Sequence, residues 1–465
     1  MHLSFFNTLT KKNEKFKPIS DGKVGLYTCG PTVYNFSHIG NFRTFIFEDL
    51  LKRWLLHLGY EVNHVMNITD VDDKTIKKSI DEKVVLKDIT KKYSKIFFED
   101  LKWLDIIPAS HFPMATDHIP EMILMIKALI KKEMAYLDKD GSVYFRISSY
   151  SDYGKLANIC NLNSSDSIVN IEADEYSAEY AQDFALWKRW KETDGDVFWD
   201  SPWGKGRPGW HIECSAMSTK HLGNNFDIHC GGVDNIFPHH ENEIAQSVGA
   251  NGKKFVNYWL HSEHLMINGD KMSKKENNFF TIKHLKSLGF SAQSIRHQLL
   301  AGHYRTKISF STKKKYESDK IINRITDFYY TLIDYGAKDI SGNKYPEAYD
   351  IFKSHLNNDL DTPKALAVFL KWMKSEMGKI QSNEITKLGI RSAWNFVRAF
   401  DFLFRFVKYK DNEIPSHIRE LLSERQKARD IKDWGHSDVL REELLSHGYM
   451  IEDTINGQKI KEIRA

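Results

Sequence analysis

No stretch of this 465-residue chain constrains its fold more than VGLYTCGPTVYNFSHIGN, residues 24–41, and the two segments that follow it. A short apolar run closed by Gly30 and Pro31 reads as a buried strand. Beyond Asn41 the period changes, with Phe42, Phe45, Ile46, Leu50, Trp54, Leu55 and Leu58 recurring at helical spacing and Gly59 as a C-terminal stop. A second β-branched run, Val62 to Ile68, comes next. Strand, helix and strand of this length close as a right-handed parallel unit, and ligands to such sheets bind beyond the strand C-termini. Cys29 and His38 fall at that edge.

The length predicts two to four domains with ample apolar content for each. A net charge of +4 is compatible with a nucleic-acid partner without requiring one, so any such evidence has to be local. Four widely spaced cysteines make no disulfide framework, which leaves metal binding or burial. The N-terminal MHLSFFNTLTKKNEKFK has no signal-peptide core, and the apolar run Ile119 to Ile130 is broken by Glu121 and Lys127. A soluble, cytoplasmic protein with no membrane partner is expected.

Further along, NITDVDDK places Asp70, Asp72 and Asp73 after the second strand, where they serve either a cation or a helix start. Asp81 to Met134 reads as amphipathic helices. Alternation at Val143, Phe145 and Ile147 then precedes a polar, Ser-rich segment, 161–181, that reads as part of an insertion with a mobile loop; Cys160 has no ligand-spaced partner there.

Chemistry concentrates again in residues 209–246. GWHIECSAMS is followed by the strand FDIHCGG, and Pro238 opens a helix on which His239 and Glu243 stand one turn apart, with His240 and Glu241 pointing elsewhere. Residues 267–279 form a polar, lysine-bearing loop. From Ser291 to about Lys410 the pattern is helical, and Arg305, Lys307, Lys313, Lys314, Lys315, Lys320 and Arg324, interleaved with Tyr304, Phe310 and Tyr316, make either a phosphate-tracking stripe or a solvated helix face. A short C-terminal hairpin turns at Asn456-Gly457.

A zinc site needs about four thiolate, imidazole or carboxylate ligands brought together by the fold. Cys29, Cys214, His239 and Glu243 qualify if both halves of the sheet converge on one edge. Spacing alone leaves open the other reading, burial of the cysteines and helix capping by His239. Cys230 and His229 form a rival pair, although neighbours on a strand point to opposite faces.

Taken in order, YTCGPTVY, HIGN, NITDVDDK, GWHIECSAM, GGVDNIFPHHENEIAQS and KMSK resemble the cysteinyl-tRNA synthetases, a family of class I aminoacyl-tRNA synthetases, and the resemblance extends to the tail ERQKARDIKDWGHSDVLREELLSHGYMIEDT. It implies an α/β fold: a Rossmann-type parallel-sheet catalytic domain with a connective insertion, then a helical bundle and a small C-terminal α+β unit. The corresponding boundaries are 1–120 and 204–265 for the two catalytic halves, 121–203 for the insertion, 266–312 for the KMSK loop and stem-contact region, 313–410 for the bundle and 411–465 for the anticodon-binding unit.

The implied reaction is activation of L-cysteine with ATP and transfer of the cysteinyl group to the 3′ end of tRNA(Cys), by a chain expected to be a monomer. The resemblance implies one zinc per chain on Cys29, Cys214, His239 and Glu243, and Mg²⁺ accompanying ATP. It assigns His38, Gly40, Asn41, Lys271 and Lys274 to ATP, with His38, Lys271 and Lys274 catalytic, and Thr69, Trp210, His211 and Asp234 to the amino acid. Two positions depart from the class pattern. Asn41 replaces the second histidine of HIGH, keeping a hydrogen-bond donor but no capacity for positive charge; Lys275, Glu276 and Asn277 follow KMSK in place of the usual residues. Three other readings remain at this point: a cysteine ligase acting on a small-molecule amine, a zinc hydrolase built on HHENE, and a non-catalytic RNA-binding paralogue.

Overall fold

The strand–helix–strand unit is present in the computed structural model, which describes residues 2–159, 183–271, 279–409, 416–447, 449–454 and 457–462. β1 (Lys23–Thr28) and β2 (Glu61–Met66) pair in parallel with Thr28 opposite Met66, and α1 (Ile39–His57) crosses between them. The residues whose helical spacing predicted α1 are buried, save Leu58, the C-cap. The helix starts two residues before Asn41 because His38 caps it, so HIGN forms its first turn and not the loop ahead of it.

Between β2 and the next strand of the sheet lie α2 (Asp73–Glu82), α3 (Leu86–Trp103), α4 (Ile119–Lys131), an antiparallel sheet of four strands (Ala135–Leu137, Val143–Phe145, Phe184–Arg189 and Gly206–Pro208) and α5 (Trp210–Leu222). β3 (Phe226–Gly232), α6 (Glu241–Asn251) and β4 (Val256–Ser262) complete the parallel sheet in the order β4-β3-β1-β2. The chain leaves β1 toward β2 on one side and returns as β3 on the other. A switch of direction opens a crevice beyond the strand ends, where ligands to such sheets bind. Segment 160–182, with Cys160 and the Ser-rich stretch, lies outside the described residues.

The acidic cluster after β2 resolves into bracing. Asp72 caps α2 through Lys74 N at 2.6 Å, Asp70 holds Thr116 N at 2.9 Å, and Asp73 pairs with Lys188 at 2.7 Å and with Arg207. The helix-start reading holds and the cation reading does not.

After β4 come α7 (Ile282–Ser287), α8 (Ala292–Leu300), α9 (Lys315–Asp334), α10 (Glu347–Asn357), α11 (Thr362–Gln381) and α12 (Lys387–Phe404), with one short strand, Ile308–Phe310, among them. Phe352, Phe369, Phe396 and Phe400 fill their core, the Phe369 and Phe400 rings stacking at 3.5 Å. Arg296 of α8 ties the layers together, donating to Phe404 O at 2.9 Å and pairing with Asp49 of α1 at 2.8 Å. Last are α13 (Ser416–Asp430), α14 (Trp434–Ser446) and a hairpin, Tyr449–Thr454 with Gly457–Glu462. Gly457 pairs with Thr454, so the connection is 455–456, one residue earlier than predicted and outside the described residues.

The basic stripe does not survive intact. Arg305 donates to Asp359 Oδ2 at 2.7 Å and lies over the Phe6 ring, while Tyr304 and Phe310 are core residues. Lys313, Lys314, Lys320, Arg324 and Tyr316 remain exposed on the α9 side.

Candidate metal centre and active site

β1 delivers Cys29 to the crevice, α5 delivers Cys214 from its second turn, and α6 with the turn before it delivers His239 and Glu243. One ligand atom from each lies within 4.8 Å of the others, the separation expected of donors about 2.0–2.3 Å from a shared ion. His239 Nε2 and Glu243 Oε1 are 3.0 Å apart, yet that buried oxygen accepts no hydrogen bond. Two donor atoms that close but not aligned as donor and acceptor converge on a third point, which fits a metal.

The ionisation pattern agrees. Cys214 is lowered to about 6, first by the hydrogen bond from Cys29 and against the pull of burial, while Cys29 is pushed well above its ordinary value by the same contact and then by burial. Burial keeps His211 and His240 neutral, far below the usual imidazole range.

Three histidines surround this set. His229 Nε2 meets Glu243 Oε2 at 3.0 Å; His211 Nδ1 meets His239 Nδ1 at 2.9 Å; His240 Nε2 meets Cys29 Sγ at 3.3 Å and its Nδ1 meets His261 Nε2 at 2.8 Å. Cys29, His229, His240 and Glu243 therefore form a second, overlapping candidate set. Both ring nitrogens of His240 and of His229 already face hydrogen-bond partners, which suits them to orienting the ligands.

Sequence reasoning sent His240 away from the site, and the structure turns it inward. The cause is local: the helix does not start at Pro238. Residues 236–240 form a π turn and α6 begins at Glu241, which rotates His240 toward Cys29. Glu241 does point elsewhere, accepting from Gly154 N at 2.8 Å and Ala157 N at 3.0 Å. On β3, Cys230 faces α1 and His229 faces the cluster, as strand alternation requires. Gly231 lies against His240, where a Cβ would come within 2.7 Å of the ring.

Trp210 stacks on His239 with ring centroids 4.2 Å apart. Thr69 is buried, donating to Glu213 Oε2 at 3.1 Å and accepting from Asn67 at 3.1 Å, while Asn67 accepts from Gly30 N at 2.9 Å. Its hydroxyl is committed to bracing β1 and β2 against α5. Asp234 is exposed in the turn Val233–Asn235 beyond β3. Asn67, Glu213 and His261 were not singled out from sequence, since a lone polar residue in an apolar run gives no sign of which partner satisfies it; His229 was noted only as a rival ligand beside Cys230.

On the other side of the Cys29 loop, His38 Nδ1 accepts from Asn41 N and Asn41 Oδ1 accepts from His38 N at 3.0 Å. With Nδ1 accepting, Nε2 carries the ring proton. Gly40 sits in the same first turn. Ile39 N donates to Phe280 O at 2.8 Å, and Lys271 pairs with Met266 of the short strand Leu265–Ile267, so one flank of 272–278 is tied to α1 and the other to that strand. Lys274 lies outside the described residues, and of Lys271 only the backbone is described.

Residues 15–320 match the family described as tRNA synthetases class I (C) catalytic domain, and residues 411–460 match the cysteinyl-tRNA ligase anticodon binding domain. A cysteine–tRNA ligase of Brachyspira hyodysenteriae is 46% identical over 469 residues, covering 98% of each chain. One from Chlamydia muridarum is 44% identical over 477 residues, covering 100% of each. In fold, the chain is similar to Mycobacterium tuberculosis methionyl-tRNA synthetase bound by methionyl-adenylate, with a TM-score of 0.61 at 13% identity over 82% of this chain and 92% of that one. A LeuRS of Agrobacterium radiobacter in ternary complex with tRNA gives 0.60 at 10% identity, over 84% and 85%.

Proposed function

From the premise that the chain belongs to the cysteine–tRNA ligases of the class I aminoacyl-tRNA synthetases, we propose that it activates L-cysteine with ATP and transfers it to tRNA(Cys) through the site just described. The observation that carries this reading is the convergence of Cys29, Cys214, His239 and Glu243 one loop away from the α1 cap that holds His38.

Cysteine and serine differ by one atom, too little for an ordinary pocket to separate them well. Zinc held by Cys29, Cys214, His239 and Glu243 would supply a soft Lewis acid that takes the substrate thiolate in preference to a hydroxyl. Three of the four ligands are oriented by neighbouring histidines: Glu243 by His229, His239 by His211 and Cys29 by His240. Trp210, His211 and Asp234 line the amino-acid side, Asp234 pairing with the ammonium. Thr69 acts there by holding Glu213 and Asn67 in place.

The cysteine carboxylate attacks the α-phosphorus of ATP, its new C–O–P bond forming as the bond to pyrophosphate breaks. A carboxylate is already ionised, so alignment and charge stabilisation carry the step. His38 Nε2–H donates to the phosphates and the N-terminal end of α1 favours their charge, with Gly40 allowing close approach. Lys271 and Lys274 neutralise charge on the departing pyrophosphate, and Mg²⁺ enters with ATP as part of that substrate. A ribose hydroxyl at the tRNA 3′ end then attacks the adenylate carbonyl and releases AMP.

We assign the domain boundaries as given above, and read the chain as a monomer. Among the described residues no helix is long and apolar enough to cross a membrane. The match to an anticodon-binding domain favours tRNA over a small amine as acceptor. Cysteine-dependent exchange of pyrophosphate into ATP by zinc-replete protein tests the reading. Exchange with cysteine and not with serine is expected, and no exchange with either overturns it.

A further inference from the structure

At the far end of α5 from Cys214 lies a second group of histidines, outside the site described above. His221 is the penultimate residue of α5, about 15 Å along the helix from His211. His118 immediately precedes α4, and His111 lies on the segment that bridges to β2 at Val65. His118 Nε2 and His221 Nε2 face each other at 3.1 Å. His118 Nδ1 is 2.8 Å from Met114 O, which accepts its proton and leaves a lone pair on Nε2. His111 stacks on His221 with centroids 5.2 Å apart, and Glu121, in the first turn of α4, pairs with Lys220 at 3.2 Å. His118 and His221 are half-buried, so the nitrogens are held in place yet reachable.

We propose that His118 and His221 chelate a borderline divalent transition-metal ion, distinct from the zinc of the catalytic centre. Three features support a built site. A backbone carbonyl that fixes the tautomer of one imidazole is the usual device for orienting a metal-binding histidine. The 3.1 Å separation of the two nitrogens is close to that of adjacent ligands around an ion bound at about 2.0–2.1 Å. The pair also lies at the C-terminal end of α5, where backbone carbonyls favour positive charge. Two imidazoles suit nickel, copper or zinc over magnesium or calcium, and solvent supplies the remaining positions. The ion would tie the start of α4 to the end of α5, bracing the two sides of the antiparallel sheet that lies between them in sequence.

Calorimetric titration of the zinc-replete, untagged full chain with NiCl₂ tests this, beside His118→Gln and His221→Asn. Far-UV circular dichroism and tRNA charging, which neither substitution should alter, report whether the variants are folded. The native chain should take up one Ni²⁺ that both variants bind at least 10-fold more weakly, with a rise in thermal midpoint on Ni²⁺ addition confined to the native chain. Equal Ni²⁺ binding by all three proteins, or none by the native chain at millimolar Ni²⁺, overturns the proposal and leaves the contact as an N–H···N hydrogen bond. If a variant misfolds, His111→Ala with unchanged Ni²⁺ affinity and His118→Ala with lost affinity still separate the chelating pair from its neighbour.

Discussion

His38 and Asn41 cap one another: Asn41 Oδ1 accepts from His38 N at 3.0 Å, and His38 Nδ1 accepts from Asn41 N at 3.3 Å. The backbone N–H of residue 41 sets the tautomer of His38, while the side chain that departs from the class pattern holds the His38 backbone. Asn41→Ala should cost about 1 kcal/mol of stability through loss of the cap. It should also slow adenylate formation about 10-fold or more by loosening His38. Asn41→Asp keeps the acceptor and the stability but sets negative charge against the phosphates, so its effect should appear as a raised KM for ATP. Thermal unfolding and pyrophosphate exchange read the two separately.

Glu48 sits in α1 with both carboxylate oxygens buried and without a hydrogen-bond partner among the described residues. Burial holds its carboxyl well above the ordinary range. A raised folded-state value means the folded chain keeps a proton that the unfolded chain releases, so this contribution is fully present below about pH 4.3 and is lost as pH rises toward the folded value. Glu48→Met should therefore stabilise the protein at neutral pH by about 1–3 kcal/mol. The gain over the native chain should shrink on acidification, as followed by denaturant midpoints from pH 5 to 8.

His229 does not touch the proposed ion but holds Glu243 Oε2 at 3.0 Å. His229→Ala should weaken zinc binding about 10- to 100-fold. His229→Gln, which can still donate, should recover part of it. Zinc retained per chain after challenge with a graded chelator measures both.

With Arg305 committed to Asp359, phosphate contacts on the α9 side fall to Lys313, Lys314 and Lys320. Replacing these three by alanine should weaken tRNA binding uniformly, and lower the slope of log K against log salt by about 2–3. Asp359→Ala should instead act on stability. The carboxylate is buried and accepts from Phe6 N at 2.9 Å and Tyr304 OH at 2.5 Å, besides Arg305. Its loss should cost about 2–3 kcal/mol, discounted for the partial exposure of Arg305, with tRNA salt dependence unchanged.

The parallel unit from Lys23 to Met66 was legible because local period and chain direction settle it together. So was the pairing of His239 with Glu243, which one helical turn brings together even though the turn before α6 is irregular. His240 was misread for that irregularity: a π turn shifts every later side chain around the axis and leaves no mark in the hydrophobic period. Arg305 was misread because its partner, Asp359, lies 54 residues away, and a charge run says nothing about distant carboxylates. The bond from the Thr69 hydroxyl to Glu213 was not legible either, because that partner lies 144 residues along the chain.

Discrimination between cysteine and serine by Cys214→Ser, at a measured zinc content, tests the central claim most directly. If Cys214 helps hold the ion that selects the thiol, the variant should lose zinc, and its ratio of kcat/KM for cysteine over serine in tRNA charging should fall at least 10-fold. A variant that keeps one zinc per chain and the native ratio would contradict the account.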